Sequence, residues 1–271
     1  MGVAIHPRAR VVRSPRLSYR WTAELLWKLA MHRVDLRYKE TVFGFGWIFL
    51  QPVALTLVFT YVFQRFAQIS SGNAPYPLFS ATGLVAWSLT ALVVSQSAGA
   101  IGGYASLIRR VMLPRIVLPL SVVVAALADL GVMALLLTGL FVYYQVSLTW
   151  AVVWLPLVFS VHVLLLMGLC LLSALLNVFL RDAGHALPSL LQLWFFASPV
   201  FYPSSLVPTE FKMLARWNPM TGIIEGYRAA LLFGTPPPMD LLGPAVIISL
   251  ALLAFATALF WKFEGTVADM L

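Results

Sequence analysis

An all-α integral membrane protein is what this sequence predicts. It should have six transmembrane helices per protomer, an amphipathic helix along the cytoplasmic surface ahead of them, and two short helices on the outer face between spans five and six. Three observations point there. The 271 residues are 61% hydrophobic and 10% charged, with a mean hydropathy of +0.90, against about 45–50% apolar and about 25% charged in soluble chains. Uncharged stretches of 43 residues (between Arg65 and Arg109) and 51 residues (between Asp129 and Arg181) leave room for complete spans, each of which needs roughly 20 apolar residues. The 18 Lys and Arg side chains are also unevenly distributed about those stretches.

The first 40 residues are basic and mixed, so no secretory signal is expected. Within 17–40, Trp21, Leu25 and Leu29 recur every four residues, and Arg20, Glu24 and Lys28 form a neighbouring stripe. That spacing suits a helix lying in the membrane interface; alternatively, the basic residues serve only to set topology. Spans are expected at 43–64, 78–101, 117–141, 151–178, 187–203 and 243–261, with the turn residues Ser71-Gly72-Asn73, Gly102-Gly103 and Thr235 to Pro238 at joints. Six spans put both termini on one side. That side carries nine basic residues up to Lys39, then Arg109, Arg110, Arg115, Arg181 and Lys262, against Arg65, Lys212, Arg216 and Arg228 opposite. The positive-inside rule places both termini in the cytoplasm.

The loop from Tyr104 to Ile116 carries three arginines and Pro114. It is long enough for a short helix that docks on something cytoplasmic, or its arginines merely fix topology. In the outer segment 204–240, Asn218 can cap a helix with Pro219 in its first position. Pro208 to Trp217 suits a shorter helix before it. No internal repeat or second soluble domain is evident, so 1–271 is expected to form one membrane domain: 1–40, spans one to five over 43–203, the outer segment 204–240, and span six at 243–261.

Catalytic and metal chemistry finds no foothold. The four lysines are followed by Leu29, Glu40, Met213 and Phe263, which excludes the phosphate-binding G-x-x-x-x-G-K-[ST] loop. Neither H-E-x-x-H nor G-x-S-x-G occurs. His6, His32, His162 and His185 lack partners at ligand spacing, and the one cysteine, Cys170, sits in an apolar run. Asp182 and His185 could form an acid–base couple, or a structural cap after span four. Asp129, inside span three, reads as a polar contact within the bundle more than as an ion-coupling group. No bound nucleic acid is expected, because the basic residues sit beside spans. A membrane bundle with a basic cytoplasmic loop and no energy source of its own fits the membrane half of a pump driven by a separate subunit.

The stretch Leu36-Arg37-Tyr38-Lys39-Glu40-Thr41-Val42-Phe43-Gly44-Phe45-Gly46-Trp47, then Gln51-Pro52, resembles the opening of ABC-2 type permeases that export polysaccharides. Leu107-Ile108-Arg109-Arg110-Val111-Met112-Leu113-Pro114-Arg115 is similar to their coupling segment. Asn177 to Asp182 with His185, Ser198 to Pro203, Asn218-Pro219-Met220 with Glu225 and Tyr227-Arg228, and Ala268-Asp269 continue the resemblance in order. It implies a homodimer paired with two copies of a separate ATP-binding subunit, which holds ATP and Mg while this chain binds no cofactor and is no enzyme itself. The implied cargo is a lipid-linked glycan, O-antigen-like or teichoic-acid-like, and the implied location is the bacterial inner membrane. Leu107, Arg109, Arg110, Pro114 and Arg115, together with Trp21, Leu25, Lys28, Arg33 and Arg37 of the N-terminal helix, would meet the ATPase. Spans one and five would line the channel, through Phe59, Tyr61, Trp194, Phe195, Phe196, Phe201 and Tyr202; the same aromatics could instead pack or face lipid. Asn218, Pro219, Glu225 and Arg228 would belong to outer gate helices. Rival readings are an exporter of a small hydrophobic compound or lipid, an ATP-independent flippase relying on Asp129, and an intramembrane enzyme using Asp182 and His185.

Overall fold

In a computed structural model the chain folds as a bundle of helices, and no strand occurs among the described residues, which are 19–38, 46–66, 68, 72, 74–104, 113–180 and 182–270. In order these are α1 (Tyr19–Tyr38), α2 (Gly46–Phe59) running into a π-helical segment (Thr60–Phe66), α3 (Tyr76–Ala98), α4 (Val117–Tyr143), a 3-10 turn (Trp150–Trp154) leading into α5 (Leu155–Phe179), and α6 (Ala183–Ala197). After two further 3-10 turns come α7 (Lys212–Trp217), α8 (Pro219–Arg228) with a second π segment (Ala229–Phe233), and α9 (Met239–Met270).

Four stretches are long and apolar enough to cross a membrane: Tyr76–Ala98, Val117–Tyr143, Trp150–Phe179 and Met239–Thr266. They match expected spans two, three, four and six, and α9 overruns its expected end. The other two are shorter. Leu50–Gln64 is apolar over a reduced length, with Pro52 inside α2. The 15 residues of α6 rise only about 22 Å, short of the roughly 30 Å hydrocarbon layer. Expected span five was placed at 187–203, but its helix starts earlier and stops at Ala197. The cause is Pro199, which forces the preceding Ser198 into an extended conformation (φ −105°, ψ 144°).

α3 is the central helix, buried along nearly its whole length between α4, α5 and α8. α5 and α9 pack closely: a Cβ on Gly168 would meet Leu253 N at 3.0 Å. α8 and α9 approach closer still, since a Cβ on Gly222 would lie 2.3 Å from Leu241 O, so only glycine admits this crossing. Polar contacts tie the two ends of the bundle. Near residues 98–118, Asn177 donates to Ala98 O at 2.8 Å and Arg33 donates to Ser121 Oγ at 2.8 Å. At the end formed by residues 198–240, Tyr76 donates to Phe201 O at 2.6 Å.

The helix ahead of the spans does more than lie on a surface. Leu25, Leu26 and Leu29 pack on Val117, Leu118 and Tyr104 at the base of α4. Two turns on, Arg37 pairs with Asp129 and donates to Gln96. Asp129 lies about 18 Å along α4 from Val117, so α1 climbs against α4 to mid-helix.

Candidate functional site

A cavity of about 860 Å³ lies between α2, α3, α4 and α6. Gln51 and Pro52 of α2, Trp87, Ser88 and Ser95 of α3, and Gln192 and Phe195 of α6 form its length, while Arg37, Gln96 and Asp129 close one end. Ser88, Ser95 and Gln96 share a face of α3, at steps of seven and eight residues. The walls therefore combine neutral amide and hydroxyl groups with aromatic faces. The charges at the end are matched, because the Asp129 carboxylate is 1% exposed and accepts from Arg37.

Against this cavity stands a continuous aromatic cluster. Phe59 lies 5.1 Å from Phe201 and 6.0 Å from Phe195, ring centroid to centroid. Phe63 stacks on Phe201 at 4.7 Å, and Trp87 meets Trp194 edge-on at 5.4 Å. Phe196 and Tyr202 touch Phe201 at 5.9 and 5.1 Å. Phe59, Trp194, Phe195, Phe196, Phe201 and Tyr202 are thus brought together from α2, α6 and the turn beyond it. Tyr61 is not: it is 63% exposed and pairs with Phe66 at 5.5 Å. Phe63 and Trp87 were missed. Phe63 follows Phe59 by four residues, a helical-face signal that could have found it, whereas nothing local marks Trp87.

The cluster is held from the 204–240 side. Asn218 caps α8 by accepting from Met220 N at 3.1 Å, accepts from Trp194 Nε1 at 3.0 Å, and donates to Ser198 Oγ at 3.0 Å. Pro219 follows as the first helical residue. Arg228 is fully buried and donates to Pro199 O at 2.7 Å and Val200 O at 2.6 Å, with its guanidinium 3.5 Å over the Phe79 ring. Burial pulls its pKa down to about 10, opposed by Glu225, so it stays protonated at neutral pH. Glu225 accepts from Arg228 at 3.2 Å and from Ser204 N at 3.2 Å. Gly83 makes room for this knot, since a Cβ there would sit 2.4 Å from Val200 O and 2.9 Å from Arg228 Nη2.

Among the residues expected to meet a partner, Leu107, Arg109 and Arg110 lie outside the described residues. Pro114 is half-buried, and Arg115 donates to the Glu264 carbonyl near the end of α9. Trp21 and Lys28 are exposed, Lys28 pairing with Glu24 at 2.8 Å. Leu25 packs inward. Arg33 and Arg37 also turn inward: Arg33 bonds Ser121, Ala100 O and Leu118 O beneath the Tyr104 ring. Their guanidinium groups are hydrogen-bonded to residues of α3, α4 and the segment between them.

Asp182 and His185 are both exposed, and the Asp182 side chain makes no capping bond at the start of α6. His162 is fully buried and bonded to Thr90 Oγ1 at 2.9 Å and to Tyr227 Oη at 3.3 Å. No metal-binding group of three or more ligands occurs among the described residues.

The family model of the ABC-2 type transporter matches residues 25–232. The chain is 32% identical to the O-antigen export system permease protein RfbA of Myxococcus xanthus, over 87% of this chain and 91% of the relative. It is 28% identical to a protein of the same name from Klebsiella pneumoniae, over 78% and 81%. With the polysialic acid transport protein KpsM of Escherichia coli it shares 23% identity over 76% and 80%.

Proposed function

The chain belongs to the ABC-2 type transporter family, and from that premise we propose that it is the permease subunit of a polysaccharide exporter. The observation that carries this reading is the end-to-end similarity to permeases named for O-antigen export, joined by one named for polysialic acid transport. In the proposed assembly two copies of the chain pair with two copies of an ATP-binding subunit, which holds ATP and Mg and hydrolyses the nucleotide. The cargo is a lipid-linked glycan moved from the cytoplasmic to the outer face of the inner membrane.

The chain crosses the membrane six times in this reading, with α2 and α6 as the two short spans beside the path and both termini cytoplasmic. The charge distribution supports that orientation. A wall of Gln51, Ser88, Ser95 and Gln192 beside Trp87 and Phe195 suits hydroxyl-rich sugars. Amides and hydroxyls exchange hydrogen bonds worth about 0.5–1.5 kcal/mol net, weak enough for a polymer to keep moving, and aromatic faces accept sugar C–H surfaces without fixing one register. α7 and α8 act as the outer gate helices. Residues 107–115 and the exposed face of α1, with Trp21, Trp27 and Lys28, meet the ATPase.

The test is a deletion strain in which lipid-linked glycan is measured by compartment, with the cloned gene returned as control. Full-length polymer should accumulate on its lipid carrier inside the cell and disappear on complementation. Unchanged surface glycan with no internal accumulation would move the cargo to another class of compound. Charge reversal at Arg109 and Arg110 should abolish export while membrane insertion is kept; normal export would remove the coupling role.

A further inference from the structure

A second cavity, of about 510 Å³, lies on the other side of α3 from the proposed path, between α3, α4, α5 and the α8 segment. Its back wall is the deeply buried surface of Val85, Ala86 and Leu89. Its mouth opens between α4 and α5, where Ala134, Thr138 and Leu148 are exposed. Both flanking helices are long and apolar enough to cross the membrane, so this mouth faces lipid.

The chemistry of the walls selects the occupant. Thr82 donates its hydroxyl to Leu78 O at 2.8 Å, and Thr138 donates to Ala134 O at 2.8 Å. Both ring nitrogens of His162 are engaged, by Thr90 and by Tyr227. The polar atoms around the groove are thus satisfied by the chain itself, leaving a hydrocarbon lining. No charged residue occurs from Leu130 to Leu180, and Asp129, the carboxylate of α4, is paired with Arg37 and lines the other cavity, so nothing on the groove side of α4 or α5 selects a charged head group. The α4 stripe that lines the groove, Leu130 to Phe141, extends about 16 Å. That is half of the roughly 30 Å hydrocarbon layer, the depth of one leaflet.

We propose that this groove is a binding site for one acyl chain of a membrane phospholipid, inserted from the leaflet that borders segment 204–240. Tyr227 and Leu231 form part of its wall, so the chain touches the end of α8 directly. This depends on α4 and α5 spanning the membrane but not on the identity of the cargo, and the labelling experiment below reads no transport.

The test uses the full-length protein in phosphatidylcholine nanodiscs carrying a trace of phosphatidylcholine with a diazirine near the acyl terminus. After irradiation, adducts are mapped by peptide mass spectrometry. Labelling of 134–141 and 155–159 should exceed that of the exposed α9 residues Ile247, Leu250 and Phe255 by roughly tenfold. Ala134→Trp or Thr138→Trp, each filling the groove at its exposed rim, should bring this excess down to the α9 level and leave α9 labelling unchanged. A phosphatidylglycerol probe should label the groove to the same extent. Equal labelling of groove and α9, or an excess that survives both variants, would overturn the site. So would a strong preference for the anionic probe, stronger labelling by an isoprenoid photoprobe, or protein–protein crosslinks from this face in place of lipid adducts.

Discussion

Removing the Arg228 guanidinium is the sharpest perturbation of this structure. Arg228→Met keeps most of the aliphatic volume but deletes the donors to Pro199 O and Val200 O, at 2.7 and 2.6 Å, and the pairing with Glu225. Hydrogen bonds from a charged donor are worth about 1.5–3 kcal/mol each. Breaking a buried pair by removing one partner costs about 3–5 kcal/mol. Glu225 softens the loss, because its side chain is 13% exposed and retains Ser204 N as a donor. A net loss of about 4 kcal/mol follows, which at about 2–4 °C per kcal/mol for a chain of this size lowers the unfolding midpoint by roughly 10 °C. Thermal unfolding of the purified chain in one detergent measures it. Arg216→Met serves as control, since Arg216 is exposed and donates to Asp240 O at 3.2 Å, and its loss should be close to neutral. A midpoint for Arg228→Met indistinguishable from the control would show that the carbonyl cradle does not anchor this end of the bundle.

Other substitutions probe the remaining joints. Gly83→Ala places a Cβ 2.4 Å from Val200 O, so it should destabilise by about 1–3 kcal/mol and act non-additively with Arg228→Met; additivity within about 0.5 kcal/mol would separate the two sites. Arg37→Gln and Asp129→Asn should each be strongly destabilising, at about 3–5 kcal/mol, while the double variant loses less than the sum, as a double-mutant cycle by thermal unfolding would reveal. Asn218→Ala removes the α8 cap and the acceptor for Trp194; about 1 kcal/mol is expected from the cap alone, together with a change in tryptophan emission, and an unchanged spectrum would argue against the Trp194 contact.

Much of the fold was legible in the sequence because the four long spans are set by length and apolarity alone. α8 was legible as well, through the Asn218-Pro219 pair. The end of α6 was not, since apolar residues continue through Val200, Phe201 and Tyr202 and hide the break that Pro199 imposes on Ser198. Asp129 was recognisable as a polar contact, but its partner Arg37 is 92 positions away, beyond any local pattern. The bond of Arg33 to Ser121, 88 positions away, was hidden for the same reason. In the candidate site, six of the seven proposed aromatics converge. Tyr61 was separable in principle, because two positions after Phe59 falls on the opposite face of a helix. The Ser88, Ser95 and Gln96 stripe was also present in the sequence, masked by the apolar residues between.

The placement of charge inside the bundle bears on which cargo the proposed path would suit. The buried carboxylate Asp129 is paired with Arg37, the buried cation Arg228 with Glu225 and backbone carbonyls, and buried His162 bonds two hydroxyls. An ion carrier would have to trade such a partner for its cargo, and opening a buried pair costs about 3–5 kcal/mol, far more than the exchange of one amide or hydroxyl hydrogen bond. The low-cost surface is therefore the neutral stretch of Gln51, Ser88, Ser95 and Gln192 with the rings of Trp87 and Phe195. A cargo with many equivalent hydroxyls can advance along that surface by small exchanges, whereas a single hydrophobic solute would leave its amides unpaired. The bonds that hold the aromatic cluster come from one end, through Asn218 and Arg228 of the outer segment and through Tyr76 of α3, which donates to Phe201 O. Movement of α7 and α8 would therefore pull on Ser198 to Val200 against the Tyr76 tether at Phe201, the ring that Phe59, Phe63, Phe195 and Phe196 all touch.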